Sequence, residues 1–166
     1  MNTMTTAEAM AMFAAMPDTD KAAYDEILTA GQPIWVPQAG PQYAAYHSKA
    51  DILFYGGAAG GGKTDLLMGL SATTQEHSII FRREAVQLIG IEERMTSIVG
   101  NREGYNSTTG VWRLPGGKVM ELGSVKLETD WIKYQGRPHD AKLFDEICHF
   151  TELQFRTLIG WLRTDN

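Results

Sequence analysis

Gly57-Ala58-Ala59-Gly60-Gly61-Gly62-Lys63-Thr64 matches the phosphate-binding pattern G-x-x-x-x-G-K-[ST] at every position. The chemistry this spacing serves is the capture of a polyphosphate. Glycines let successive backbone N–H groups turn inward without Cβ clashes and so form a nest for anions. Lys63 then brings a compact positive charge to the β and γ phosphates, and the Thr64 hydroxyl is a ligand for Mg²⁺. A second chemical pair, Asp145-Glu146, closes the apolar run that starts at Ala141. Asp145 can hold Mg²⁺, directly or through water, while Glu146 can polarise a water aligned with the γ phosphate. One acid engaged by metal and one free as a base suits hydrolysis. A small-molecule kinase needs only the first. The bland alternatives are a solvated lysine in a Gly-rich turn, and two acids that cap the next helix through its dipole.

The elements around these residues are the ones such a site requires. Ile52-Leu53-Phe54-Tyr55 reads as a buried strand running into the glycine loop, and Asp65-Leu66-Leu67-Met68-Gly69-Leu70 opens a helix that runs to about Thr73. The expected nucleotide set is therefore Gly57, Gly60, Gly61, Gly62, Lys63, Thr64 and Asp65. Gln42, shortly before the strand, is either an adenine-reading amide with both donor and acceptor or an ordinary loop glutamine. Further strands are predicted at 78–82 and 141–146, a helix over 84–99 with Gly90 weakening it, and a loop over 101–110. Val111–Leu114 and Val119–Leu122, joined by Pro115-Gly116-Gly117, predict a hairpin, and 130–134 a short helical turn. The last helix is predicted over 151–163. Two amphipathic helices at 5–16 and 18–28 precede all of this, either as a packing cover or as a docking element. Strands alternating with helices predict an α/β fold around a mostly parallel sheet.

Composition sets outer bounds. The 166 residues are 43% hydrophobic and 21% charged, the composition of an ordinary globular chain. A net charge of −5 argues against a strongly basic nucleic-acid surface without excluding local patches. Cys148 is the single cysteine, so neither an intrachain disulfide nor a cysteine-based metal site can form. No membrane-length apolar run or secretory leader is evident, so a cytoplasmic protein is expected. Arg82 and Arg83 could face the nucleotide or a neighbouring subunit but read more readily as solvated arginines, Arg137 reads as structural, and His149 as packed or exposed rather than a metal ligand.

Taken in order, Tyr55-Gly56-Gly57 through Thr64, Ile80-Phe81-Arg82-Arg83-Glu84, and Gln135-Gly136-Arg137-Pro138 leading to Leu143-Phe144-Asp145-Glu146 resemble the N-terminal ATPase region of the large terminase subunit of tailed bacteriophages. The resemblance covers roughly residues 37–163. It implies a P-loop NTPase fold, ATP and Mg²⁺ as cofactors, Lys63 and Thr64 on phosphate and metal, Asp145 on Mg²⁺, Lys63 and Glu146 as catalytic residues with Glu146 the base, and Gln42 on adenine. It further implies a motor that threads double-stranded DNA through a portal protein into a prohead, with a small terminase subunit as partner, acting as a homo-oligomer in the host-cell cytoplasm. Such proteins are several times longer, with a coupling motif after the acidic strand and then a nuclease. The expected organisation is therefore a helical segment at 1–33 and a C-terminally incomplete ATPase domain at 34–166, with no nuclease and no DNA cleavage. In related ATPases the coupling strand lies between the loop strand and the acidic strand, so this sheet is expected to lack a central member. A small phosphotransferase, or a remnant that binds nucleotide without turnover, are the alternatives.

Overall fold

A computed structural model describes residues 32–58 and 60–160, together with Thr5, Ala11, Ala14, Ala15, Pro17 and Lys21. The chain divides into two compact units, Met1–Pro33 and Ile34–Asn166. In the first, Ala11, Ala14, Ala15 and Lys21 are helical, and the Lys21 amide donates to the Pro17 carbonyl at 3.0 Å. The rest of the two helices expected there lies outside the described residues.

The second unit is α/β, a five-stranded mixed sheet flanked by helices, in the order β2-β3-β4-β1-β5. Its strands are β1 (His77–Arg82), β2 (Tyr105–Asn106), β3 (Val111–Arg113), β4 (Val119–Ser124) and β5 (Ala141–Phe144). Its helices are α1 (Pro41–Tyr46), α2 (Lys63–Thr73), α3 (Leu88–Val99) and α4 (Glu152–Ile159), with single 3₁₀ turns between them. β1 pairs in parallel with both β4 and β5, whereas β3 pairs antiparallel with β2 and β4. The sheet is thus mixed, less parallel than expected, because the 111–122 hairpin forms one whole wing.

β1 is the central strand. Being covered on both faces, it reads as a continuous apolar run rather than an alternation. Ile80 joins Met68, Ala72, Ile91, Met95, Trp112 and Met120 on the face covered by α2 and α3. Ile79 and Phe81 join Val125, Tyr134 and Leu158 on the other face. Two local devices hold the chain in register. The Tyr134 hydroxyl accepts from the Ser124 amide at 2.8 Å and donates to the Ser124 carbonyl at 3.0 Å, which pins the end of β4. α4 starts on a reciprocal cap between Thr151 and Gln154, as the sequence pattern requires.

Several expectations are corrected. Ile52–Tyr55 forms no strand. Its backbone meets no ladder partner, and Ile52, Leu53 and Phe54 are 54%, 44% and 69% exposed. Apolarity fills a strand only where an adjacent edge can accept its hydrogen bonds. The acidic strand stops at Phe144 instead of running through Glu146. The helix expected from Glu84 begins as a 3₁₀ turn over Ala85–Gln87, with the Glu84 amide donating to the Gln87 side chain at 3.2 Å, before α3 starts at Leu88. The 101–110 loop contains β2. α4 is assigned to Ile159, and residues 161–163 of its expected span lie outside the described set. Among the described residues, no helix is long and apolar enough to cross a membrane.

Candidate functional site

The glycine loop curls into the start of α2. Gly60 and Gly62 have φ of 80° and 68°, in the left-handed region where glycine alone is unstrained. Gly62 has a second reason to lack a side chain: a Cβ there would sit 2.6 Å from Nε2 of Gln42. Gln42 is buried on α1, donates to the Gly62 carbonyl at 2.9 Å and accepts from the Gln38 amide at 2.5 Å. Its amide therefore ties the Gln38 turn to the last glycine of the loop. Lys63 Nζ arches back to the carbonyls of Gly57 at 2.9 Å and Ala58 at 2.8 Å. The Tyr55 hydroxyl donates to the Gly61 carbonyl at 3.3 Å. The first amides of α2 precede any helical carbonyl and so are free to serve an anion.

Asp65 belongs to the packing as much as to the loop. Its carboxylate accepts from Trp35 Nε1 at 2.9 Å and from Arg94 Nε at 2.7 Å, tying α2 to Trp35 and α3. What Asp65 can offer a phosphate is its first-turn backbone amide, not its side chain.

The acids arrive from the far side of the sequence. Phe81 and Phe144 are register partners, so the parallel pairing of β1 with β5 sets Arg82 beside Asp145. Asp145 is buried, and its Oδ2 accepts from the Thr64 hydroxyl at 2.9 Å and from Arg82 Nε and NH2 at 2.9 and 2.5 Å. Arg82, read more readily as a solvated arginine than as one facing the nucleotide, is instead tied to Asp145. The available signal was its position one residue past the buried Phe81 of a central strand, level with the residue after Phe144. Arg83 instead holds the His149 carbonyl and the Gln154 side chain, at 3.1 and 3.0 Å.

Glu146 is exposed and is the one described non-glycine residue with positive φ, at 54° with ψ also 54°. That backbone costs an L-residue roughly 1–2 kcal/mol and turns the chain sharply after Asp145. The two adjacent acids consequently diverge, one buried and paired, the other free at the surface. A cleft of about 880 Å³ runs between the 48–57 segment and β5, and Gly56, Gly57, Lys63, Asp145 and Glu146 all line it. Loop lysine and carboxylate pair share one cleft.

Thr64 and Asp145 present hard oxygen donors within 2.9 Å of each other, a donor set that suits Mg²⁺. Lys142 also lines the cleft. Burial pushes its ammonium down to about 8, and Nζ donates to the Leu158 carbonyl at 2.6 Å. Arg137 and His149 are structural here, the first paired with Glu121 at 2.5 Å and the second exposed. No family model matches this chain, and no curated protein or solved structure shows significant similarity to it.

Proposed function

We propose that this chain is an ATP-hydrolysing domain of the P-loop class, the motor region of a terminase-type DNA-packaging enzyme. The observation that carries the hydrolytic reading is the bond between Thr64 and Asp145, which joins the phosphate loop to the acidic strand end while leaving Glu146 unpaired beside them. Thr64 and Asp145 would hold Mg²⁺, Lys63 and the loop amides would hold the phosphates of the substrate ATP, and the ion would supply charge stabilisation at the transferring γ-phosphoryl group. Asp145, bonded to Thr64 and Arg82, is engaged on the metal side. The Glu146 carboxylate takes the proton from the attacking water as its oxygen bonds to phosphorus, and the bond to the β-phosphate oxygen breaks to release ADP. Gln42 fixes the loop from behind, and its remaining N–H and lone pair are what it can offer adenine. The packaging role, with double-stranded DNA, a portal protein and a small terminase subunit as partners of a homo-oligomer in the host cytoplasm, is supported by the three sequence blocks.

The test is phosphate release by the full chain with Mg²⁺-ATP. Glu146→Gln should lower turnover by roughly 10²–10⁴-fold with nucleotide still bound, the usual loss for a general base. Lys63→Ala should lose nucleotide binding. Bound ATP with turnover indifferent to Glu146→Gln would leave a nucleotide-binding remnant, and label moved to an acceptor instead of water would mean a phosphotransferase. Hydrolysis unaffected by double-stranded DNA would remove the packaging part.

A further inference from the structure

At the opposite end of β1 from Arg82, three side chains meet on the sheet face that carries Ile79. His77 is the first residue of β1, Glu121 is the partner of Ile79 on β4, and His139 lies just ahead of β5. Their donor atoms all fall within 4.8 Å of one another. His77 Nε2 is 2.9 Å from Glu121 Oε1, and His139 Nε2 is 3.5 Å from the same oxygen.

One buried nitrogen of this cluster is left over. His139 Nδ1 lies 3.1 Å from the Arg137 carbonyl, which can only accept, so Nδ1 carries a hydrogen there. Nε2, on the other side of the ring, faces the Glu121 carboxylate. The His139 side chain is 0% exposed, and Nε2 has no hydrogen-bond partner. A buried polar nitrogen without a partner beside a carboxylate is costly unless something positive sits between them.

We infer that His77, Glu121 and His139 bind one divalent ion of the zinc class, as a structural staple joining β1, β4 and the 135–140 segment. Two imidazoles and a carboxylate are a borderline-soft donor set that suits Zn²⁺ or Co²⁺ and not Mg²⁺. A tetrahedral ion with bonds of about 2.0–2.1 Å needs donors about 3.3 Å apart, between the two separations found here. The outer contacts are those that metal ligands use. Arg137 supplies both, its carbonyl orienting His139 and its guanidinium holding Glu121 Oε2 at 2.5 Å. The Asp140 carboxylate accepts from the His77 amide at 2.7 Å and so fixes the backbone that carries one of the three ligands. His77 is partly exposed, which leaves an entry path and a fourth position for water.

The competing explanation is a second proton on His139. Titration of the metal-free chain with Zn²⁺, and with Co²⁺ as a spectroscopic probe, separates the two. One ion per chain should bind, raise Tm, and give the intense visible bands of tetrahedral Co²⁺ without a thiolate charge-transfer band. His77→Gln, at a partly exposed position that tolerates change, should weaken binding at least tenfold. Arg137→Gln should weaken it 10–100-fold, and His149→Gln should leave it unchanged. Excess Mg²⁺ should not compete. No change in Tm on adding Zn²⁺, a thiolate band from Cys148, or loss of binding in His149→Gln rather than His77→Gln would each overturn the site. None of these readouts depends on nucleotide hydrolysis.

Discussion

The Thr64 hydroxyl donates a 2.9 Å hydrogen bond to Asp145 across 81 residues of sequence, joining the start of α2 to the end of β5. This contact has a stated consequence for ligand binding. Thr64→Ala and Asp145→Asn should each weaken Mg²⁺-nucleotide binding far more than binding of the metal-free nucleotide, since both substitutions remove a metal donor and leave Lys63 in place. Fluorescent-nucleotide titration with and without Mg²⁺ checks this. Equal losses in the two conditions would mean that the pair only supports the fold.

Arg82 offsets the charge of a carboxylate that is only 3% exposed. Removing one partner of such a pair strands the other, which costs on the order of 3–5 kcal/mol. Arg82→Ala should therefore lower the urea midpoint strongly, and Arg82→Ala/Asp145→Asn should recover part of the loss. A double variant no better than the single one would show that the arginine acts through packing.

Glu146 occupies a left-handed backbone that glycine adopts without strain. Glu146→Gly should raise stability by up to about 1 kcal/mol while abolishing the proposed hydrolysis. Opposite signs for stability and turnover are the signature of strain kept for function. Denaturant unfolding alongside phosphate release measures both.

Gly69 lies against the Trp35 indole so closely that a Cβ would approach ring carbon Cε3 to 2.3 Å. Helix propensity alone says that Gly69→Ala stabilises α2. The contact says the reverse, by roughly 1–3 kcal/mol, the usual cost of overpacking. Unfolding monitored by tryptophan fluorescence decides between them.

Lys142 sets a pH dependence. Its folded pKa of about 8 lies below the ordinary 10.5, so between those values the unfolded chain binds more protons than the folded one. Its contribution to stability therefore rises as pH rises above about 8. Burial also pushes the Tyr105 and Tyr134 phenols up, so their contribution falls once unfolded tyrosines ionise near 10. Between pH 8 and 9.5, Lys142→Met should flatten the rise in urea midpoint seen in the parent chain. An unchanged slope would refute the assignment.

Local patterns identified the helix after the glycine loop, the 111–122 hairpin and the strand just ahead of the two acids, because each carries its own turn chemistry or periodicity. They failed at Ile52–Tyr55, where apolar content alone predicts a strand. A strand exists only if a second backbone lies alongside it, and that is a property of the whole sheet. They failed again at Arg82, whose neighbour Asp145 is remote in sequence, and at β2, whose two residues are too few for any period to show.

The order of residue types along the chain determined by itself that a glycine-rich loop, a lysine, a hydroxyl and two acids are present. Glycine's freedom at positive φ and the dipole at a helix start are local physics, legible one segment at a time. Only the tertiary structure decided which acid is buried under Arg82 and which stands free, that the Gln42 amide bridges Gln38 and Gly62 while the Asp65 carboxylate serves the packing, and that His77, Glu121 and His139 meet at the far end of the sheet. Those outcomes depend on strand register and on which backbones lie side by side, and hydrogen bonds across 20 to 81 residues leave no periodic trace in the sequence.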